Sequence, residues 1–583
     1  MNLAFPGLLT AAAVLALVMS PLAHAAADRI FLNARAYTVN AAEPWAEAVA
    51  VTGDTIVYVG DNEGAKALVG ETTVLHDLGG QMLLPGFIDA HMHPLSGGGY
   101  ARALSLDTWG TVEDWLNAVG EFVAANPGDG LLFGYGFLAT TFGPEGPTRQ
   151  QLDAIAADRP ILIMDEGFHG AWANSAALRQ LGINRETPDP VPGFSYYKRD
   201  AKGEPTGYLL EGTAIDAMDA LGAITPAVIV DGTAYVFDVL NAYGVTSVFD
   251  AGALEAAHWS GDILAELETA GHMSVRIVGS HFVTDLAAAE TAVADTLAQA
   301  RELRGERYHY NTLKIMLDGT VEGRTAAMFE DYQGEPGNRG ELVFSQEQVT
   351  AMVTEAAAAG VDVHLHGLGE RAVHQGLNAI EAARRLHPDS ASRFTITHVQ
   401  VITDEDLPRF AALDVIAQST PLWASYDVYG EQFVSEDQFN RFWRFHSLEQ
   451  TGARLTWGSD YPASGAGMLG MSPLVQMQIG MTRQALEDPD APIQPDARER
   501  LSLPILIRGF TLEAAYQLHR EDEIGSIEVG KKADLVVLQK NLFEVPVTEI
   551  HTVPVTATYV DGRQVYGDPI SPAAVVAGTN DNN

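Results

Sequence analysis

The sequence predicts an α/β protein: a (β/α)8 TIM barrel, a small flanking β-sandwich built from both termini, and a subdomain inserted after the first barrel strand. Three observations point there. Eight short apolar runs bounded by polar residues recur at 86–91, 245–249, 275–279, 312–317, 361–366, 394–398, 415–418 and 455–459, the pattern of parallel strands buried on both faces. Ala-rich helical stretches at 287–303, 346–359 and 372–386 separate several of them, and alternating strand and helix is the sequence form of a barrel. Finally, β-rich segments punctuated by Gly-Asp, Gly-Gly and Asp-Gly turns occupy both ends.

In chain order, Leu8 to Met19 is an apolar run too short to span a bilayer, where ~20 residues are needed. It leads to Ala23-His24-Ala25, the small-residue pattern of a signal-peptidase site. Residues 1–25 are thus expected to be a signal peptide, with the mature protein periplasmic or secreted and without stable membrane insertion after cleavage. Residues 26–84 supply one part of the sandwich, with strands at 29–32, 48–52, 55–59 and 73–75. Residues 521–570 supply the other, with strands at 533–538, 555–560 and 563–566. The barrel occupies 85–520. The gap from about 98 to 243 is too long for one crossover helix and carries strands of its own at 131–134 and 161–164, which marks it as the insertion. Residues 571–583 form a tail.

Composition narrows the function. The 583 residues carry 35 Lys+Arg against 76 Asp+Glu, a net charge of −41, which argues against nucleic acid, because phosphate contacts need clustered cations. With 47% hydrophobic and 19% charged residues the chain is globular rather than disordered. It has no cysteine, so disulfides, thiolate catalysis and Cys-ligated zinc are excluded, and any metal must be held by His, carboxylate or a modified lysine. The expected partner is a small-molecule substrate; a homo-oligomer stays open.

The sharpest motif is Pro85-Gly86-Phe87-Ile88-Asp89-Ala90-His91-Met92-His93. Positions i and i+2 of a strand face one side, so His91 and His93 converge. At the C-terminal end of an inner barrel strand, where such barrels place their active sites, they make half a metal site. A His-x-His pair alone is often coincidence among 17 histidines. The order of the other candidates strengthens it: Lys314 on the fourth strand, His366 ending the fifth, His398 ending the sixth and Asp460 ending the eighth. Together these give each of two divalent ions about three ligands. A lysine cation beside two metals is electrostatically unfavourable. Carboxylated by CO2, Lys314 becomes a bridging anion; the alternative is a solvated or salt-bridged lysine. His364 shares the face of His366, but His366 lies nearer the strand end and precedes Gly367, so His364 is expected to be a layer residue inside the barrel.

PGFIDAHMH, LKIMLDGTVEGRTA, VHLHGLGERAV, ITHVQ, GSDYP and IGSIEVGKKADLVVL together resemble the amidohydrolase superfamily, in particular the branch that includes N-substituted formamide deformylase. The resemblance runs from about Arg29 to Tyr566 and includes PTRQQLDAIAADRPILIMDEGFHGAWANSAAL within the insertion. It implies a barrel with a flanking sandwich and a divalent metal site, usually zinc. His91, His93 and Asp460 then belong to one ion, His366 and His398 to the other, and Lys314 is the carboxylated bridge. This chain departs from the branch at Glu370, at Thr397 (where a Glu commonly precedes the histidine) and at Val321-Glu322-Gly323 before Arg324. These departures lie beside the ligands and bear on substrate choice.

The chemistry expected is hydrolysis of an amide-type C–N bond (N-acyl, N-formyl or cyclic amide) by a metal-activated hydroxide, with two ions lowering the pKa of water from ~15.7 towards ~7. Asp460 passes the proton from water to the leaving amine. His169 matches a histidine of the branch and is a candidate oxyanion donor, or else a histidine pinned in a turn. Arg324 either clamps an acyl or carboxylate group or bonds Asp318. Trp172 and Tyr461 are candidate pocket aromatics, with core packing the alternative. A lactonase or ester hydrolase would use the same site, and a non-catalytic binding or regulatory relative would be marked by a missing ligand.

Overall fold

A computed structural model describes residues 26–568, apart from 108–109, 144, 166–168, 191, 193–194, 285, 428–429, 487 and 489, and the side chains of 140 and 255. The expected signal peptide and the tail at 571–583 lie outside the described residues. Eight strands form the central parallel sheet: β1 (Phe87–Met92), β2 (Val245–Asp250), β3 (Arg276–Val283), β4 (Tyr308–Met316), β5 (Asp362–Gly367), β6 (Phe394–His398), β7 (Val415–Ser419) and β8 (Arg454–Trp457). Each pairs in parallel with its neighbour in sequence, as the eight apolar runs predict. All six residues of β1, β2 and β5 are buried, because one face fills the barrel while the other meets the helices.

The seam between β8 and β1 is closed just past the end of β8. The Asp460 N–H donates to the His91 carbonyl at 2.7 Å and the His93 N–H donates to the Tyr461 carbonyl at 2.8 Å. The Asp89 carboxylate accepts the Ser459 N–H at 3.0 Å, and Gln517 bridges Thr456 to the Ala90 carbonyl. A Cβ on Gly458 would lie 2.4 Å from the His91 nitrogen, so only glycine lets Asp460 come this close to the histidine strand.

Helices outside the barrel follow local signals. Gln346–Ala359 starts at the Ser345/Gln348 capping box and ends at Gly360 with φ 69°. Glu370–Leu386 covers the predicted stretch, whereas the helix expected from 287 begins only at Ala292.

The insertion has its own mixed six-stranded sheet, in the order Tyr196–Arg199, Pro205–Leu210, Gly170–Ala173, Ile161–Asp165, Leu132–Phe137, Leu104–Ser105. Helix Val112–Ala125, opened by a Thr111/Asp114 capping box, buries Trp115 and Val119 against the sheet. Helix Pro94–Tyr100 crosses Pro226–Ala242 so closely that a Cβ on Gly232 would sit 1.8 Å from the Gly98 carbonyl oxygen. That contact ties the entrance of the insertion to its exit.

The two chain ends do form one sandwich. Its six-stranded sheet interleaves them: Arg563–Tyr566, Val555–Val560 and Leu535–Leu538 continue into Met82–Pro85, Arg35–Tyr37 and Trp45–Ala46. The facing sheet holds Thr55–Gly60, Ala48–Thr52, Arg29–Leu32 and Val74–Asp77. Phe31, Val49, Leu83, Leu535, Val537 and Tyr559 fill the space between. Met82–Pro85, which pairs antiparallel with Leu535–Leu538 and joins the two ends, escaped the sequence reading. It is a four-residue run, buried throughout, with no alternation to mark it.

Candidate functional site

The C-terminal ends of β1, β4, β5, β6 and the segment after β8 bring six predicted side chains together. His91 Nε2 lies 3.4 Å from Asp460 Oδ1 and His93 Nε2 lies 3.3 Å from it. These three groups offer ligand atoms within 4.8 Å of one another, and all are buried. Lys314 Nζ is 3.3 Å from His91 Nε2. The rings of His366 and His398 are 4.5 Å apart, and His398 is 4.9 Å from His91. Side chains drawn from residues 91 to 460 therefore share one small volume, as alternation along parallel strands requires.

Each ring is oriented from behind. His93 Nδ1 donates to the Gly252 carbonyl at 2.7 Å, which leaves its Nε2 lone pair facing Asp460. His91 Nδ1 meets His364 Nε2 at 2.8 Å and Thr397 Oγ1 at 3.0 Å, and the Thr397 hydroxyl itself donates to Gln418. His364 is thus the layer residue expected, its ring tilted against Phe249 at 4.7 Å between centres. Backbone strain concentrates here as well: His398, Val399 and Asp460 have φ of 73°, 48° and 53°, a costly region for residues with a Cβ, and for β-branched valine most of all.

Charge states follow from burial. Desolvation drives His91 and His398 well below the usual histidine range and takes His366 to about 3, with the Lys314 charge adding to that shift. The imidazoles are therefore neutral, the form a metal requires. Burial would raise the Asp460 carboxyl, but its polar contact with His93 and the Lys314 charge outweigh that and hold it at about 2. Burial also lowers Lys314 to about 8, against the pull of Asp460 and Asp250. His366 Nε2 and His398 Nδ1 are buried without a hydrogen-bond partner. Orphaned ring nitrogens beside a carboxylate and two more imidazoles are what a metal site presents before its ion.

The cluster opens into a cavity of about 1050 Å³ lined by His93, Lys314, His366, His398 and Asp460 at its base. The four remaining sequence candidates lie elsewhere. His169 is 73% exposed and pairs with Glu211 at 3.0 Å; it sits on the insertion, outside the cavity lining, with its backbone N–H held by Asp165. Arg324 is not in the lining of this cavity, and its ion pair is not with Asp318. It pairs with Glu335 at 2.5 Å and lines a neighbouring cleft, while Asp318 accepts the N–H groups of Ala327, Leu368 and Gly369. Trp172 is core of the insertion, packed on Phe137 and Phe142 with Nε1 donating to the Thr148 carbonyl. Tyr461 is 2% exposed and donates to the Gly97 carbonyl at 3.2 Å; its own carbonyl holds His93 in place. Aromatics that do line the cavity are Phe282, Trp423, Tyr426 and Trp443, together with the polar Glu322, Gln400 and Asp427. Of these, Glu322 is singled out in the sequence, as a departure from the branch.

Residues 75–566 match the Amidohydrolase family profile. The chain is 33% identical over 416 residues to the exoenzymes regulatory protein AepA of Pectobacterium carotovorum subsp. carotovorum, covering 69% of this chain and 86% of that protein. It is 27% identical over 548 residues to N-substituted formamide deformylase of Arthrobacter pascens, covering 92% and 97%. Among solved structures, an uncharacterized metal-dependent hydrolase from Pyrococcus horikoshii OT3 superposes with a TM-score of 0.69 at 23% identity, over 89% of this chain and 99% of that one, a likeness of fold. With the profile spanning most of the chain and the barrel beneath it, the protein belongs to the amidohydrolase family.

Proposed function

We propose that the protein is a metal-dependent hydrolase of amide-type C–N bonds, with two zinc ions per chain held by His91, His93, His366, His398, Asp460 and a carboxylated Lys314. One observation carries it: four imidazoles, a carboxylate and a lysine converge at the base of the cavity, with two ring nitrogens left unpartnered. Similarity to a formamide deformylase over 92% of the chain favours amides over the esters and lactones that the same chemistry would open.

When bound, the metal pair lowers the pKa of water and polarises the scissile carbonyl. The chain's residues do the rest. His91 and His93 are locked in one tautomer by His364, Thr397 and Gly252. Asp460, ionised down to about pH 2, accepts a proton from the attacking water. As the water oxygen bonds to the carbonyl carbon and the C–N bond breaks, Asp460 returns that proton to the departing nitrogen, giving carboxylic acid and amine. Lys314 would become an anion able to help hold the metal if its neutral Nζ added to CO2 with loss of one proton, and burial makes the neutral amine available at about pH 8.

The regulatory name of AepA supports a second, non-catalytic reading, yet this chain keeps every side chain of the proposed set. Metal analysis of purified protein, with a panel of formamides, N-acyl amino acids, lactones and aryl esters, separates the two. About two zinc ions per chain and chelator-sensitive amide cleavage are expected; a metal-free, inert protein would favour the regulatory reading. Export to the periplasm or beyond belongs to the same proposal and rests on residues 1–25 alone.

A further inference from the structure

The cavity above the six convergent side chains is large and mostly apolar. At about 1050 Å³ it stands at the upper end of the range of about 300–1,000 Å³ usual for drug-sized ligands. A small formamide of about four or five non-hydrogen atoms, at about 30 Å³ each, would occupy little more than a tenth of it. The described lining includes five leucines, an isoleucine, a valine and a methionine, beside the rings of Phe282, Trp423, Tyr426 and Trp443. Aliphatic side chains thus outnumber aromatic ones on its wall.

This apolar wall begins beside the reacting groups. The Phe282 ring centre is 4.4 Å from Lys314 Nζ. From His398 the wall runs to Trp423 at 5.7 Å and on to Trp443 at 5.8 Å, ring centre to ring centre. The Trp423 N–H donates to the Ser464 carbonyl at 3.0 Å, so its polar atom is satisfied by the protein and the rest of the indole is apolar surface. Leu254, after β2, and Leu469, after β8, line the same cavity and are 42% and 49% exposed. Large aliphatic side chains that keep this much surface in water on a cavity wall are stabilised by an apolar ligand laid against them. A carboxylate has little to hold it, because Lys314, at the base, is the lone lysine or arginine among the described lining residues.

We propose that the preferred substrate is an amide carrying an uncharged aliphatic chain of roughly ten carbons, a length that at about 30 Å³ per non-hydrogen atom fills about a third of the cavity. The scissile bond lies at the six convergent side chains, and the chain lies along the apolar wall towards Leu254 and Leu469. The inference rests on the amide-hydrolase reading and deepens it. It sets aside both small formamides, which leave most of the wall uncovered, and N-acyl amino acids, whose carboxylate finds no cation on that wall. The chemistry is the same whether the chain belongs to the amine or to the acid, and the test separates the two.

The test measures kcat/KM of the metal-loaded enzyme, below the solubility limit of each probe, for N-butyl-, N-octyl- and N-decylformamide and for N-methylbutanamide against N-methyldecanamide. Each methylene buried is expected to raise kcat/KM about threefold, mostly through KM, so that a decyl chain exceeds a butyl chain by at least about a hundredfold. A gain along the formamides places the chain on the amine, and a gain along the N-methylamides places it on the acid. No gain in either series overturns the proposal. In Leu469→Glu, and independently in Leu254→Glu should the first not fold, the decyl-to-butyl ratio is expected to fall by about tenfold; a ratio unchanged in both folded variants overturns the wall as the seat of the chain. If no amide is cleaved, the hydrolase reading fails on its own, and calorimetry with decanol against butanol then reads the cavity directly. Tighter binding of decanol, weakened in either variant, supports the proposal; binding equal for the two alcohols, or untouched by both substitutions, overturns it.

Discussion

Lys314 Nζ lies 3.3 Å from His91 Nε2 and 4.4 Å from the Phe282 ring centre, on a side chain 2% exposed. With its pKa brought to about 8 by burial, a sizeable share of the amine is neutral near that pH, and the neutral form alone reacts with CO2. Replacing it with alanine is expected to lower kcat by at least about a thousandfold, with partial rescue by short carboxylic acids that stand in for the carbamate. Undiminished turnover in Lys314→Ala would remove it from the site. At this scale the sequence was uneven. His91, His93, Lys314, His366, His398 and Asp460 were legible because strand ends of a parallel barrel all aim one way. His169, Arg324, Trp172 and Tyr461 were not, because they sit on the insertion, on loops or in core, where no period tells which way a side chain points.

Among the elements, the sandwich holds a buried histidine on a different sheet from the convergent barrel side chains. His76 on strand Val74–Asp77 stacks on Phe31 at 5.2 Å and accepts a hydrogen bond from Arg29 Nε at 3.0 Å. Burial, reinforced by the Arg29 charge, depresses its pKa from 6.5 to about 4. Between those values the unfolded chain binds a proton that the folded chain does not. This contribution is therefore fully present above 6.5 and is lost as pH falls towards about 4, amounting to up to about 3 kcal/mol. In denaturant titrations at several pH values, His76→Phe should lose ground to wild type above 6.5 and recover it on acidification. A difference that does not change with pH would rule out this histidine as the acid-sensitive group. The strands around it were largely legible as short β segments, but Arg35–Tyr37, Trp45–Ala46 and Met82–Pro85 were too short for alternation to show.

For the whole molecule, the barrel and the sandwich are locked by charge as well as apolar contact. Arg276, at the start of β3, reaches Asp534 and Asp561 of the C-terminal strands and turn, and Arg307 Nη2 adds a contact to Asp561 at 2.7 Å. Arg276 and Asp534 are 7% and 4% exposed. Burial opposes the charge on Arg276, yet the two carboxylates prevail and raise its pKa above the usual value. Arg276→Met strands Asp534 as a buried, uncompensated charge and is expected to cost about 3–5 kcal/mol. The companion Asp534→Asn should restore part of the loss. Thermal melting checks both, and a melting temperature for Arg276→Met equal to wild type would show the junction to be held by apolar packing alone.

Barrel, sandwich and the six convergent side chains were determined by the sequence alone, because each is encoded locally: an apolar run, a turn signal, a residue type at a strand's end. Tertiary structure decided what lies above the six convergent side chains. Glu322, Gln400, Asp427 and Trp443 come from three connections, those after β4, β6 and β7, and meet only after the barrel has closed. Their shared environment is set by the relative placement of strands rather than by any neighbour in sequence, so no local pattern could announce it.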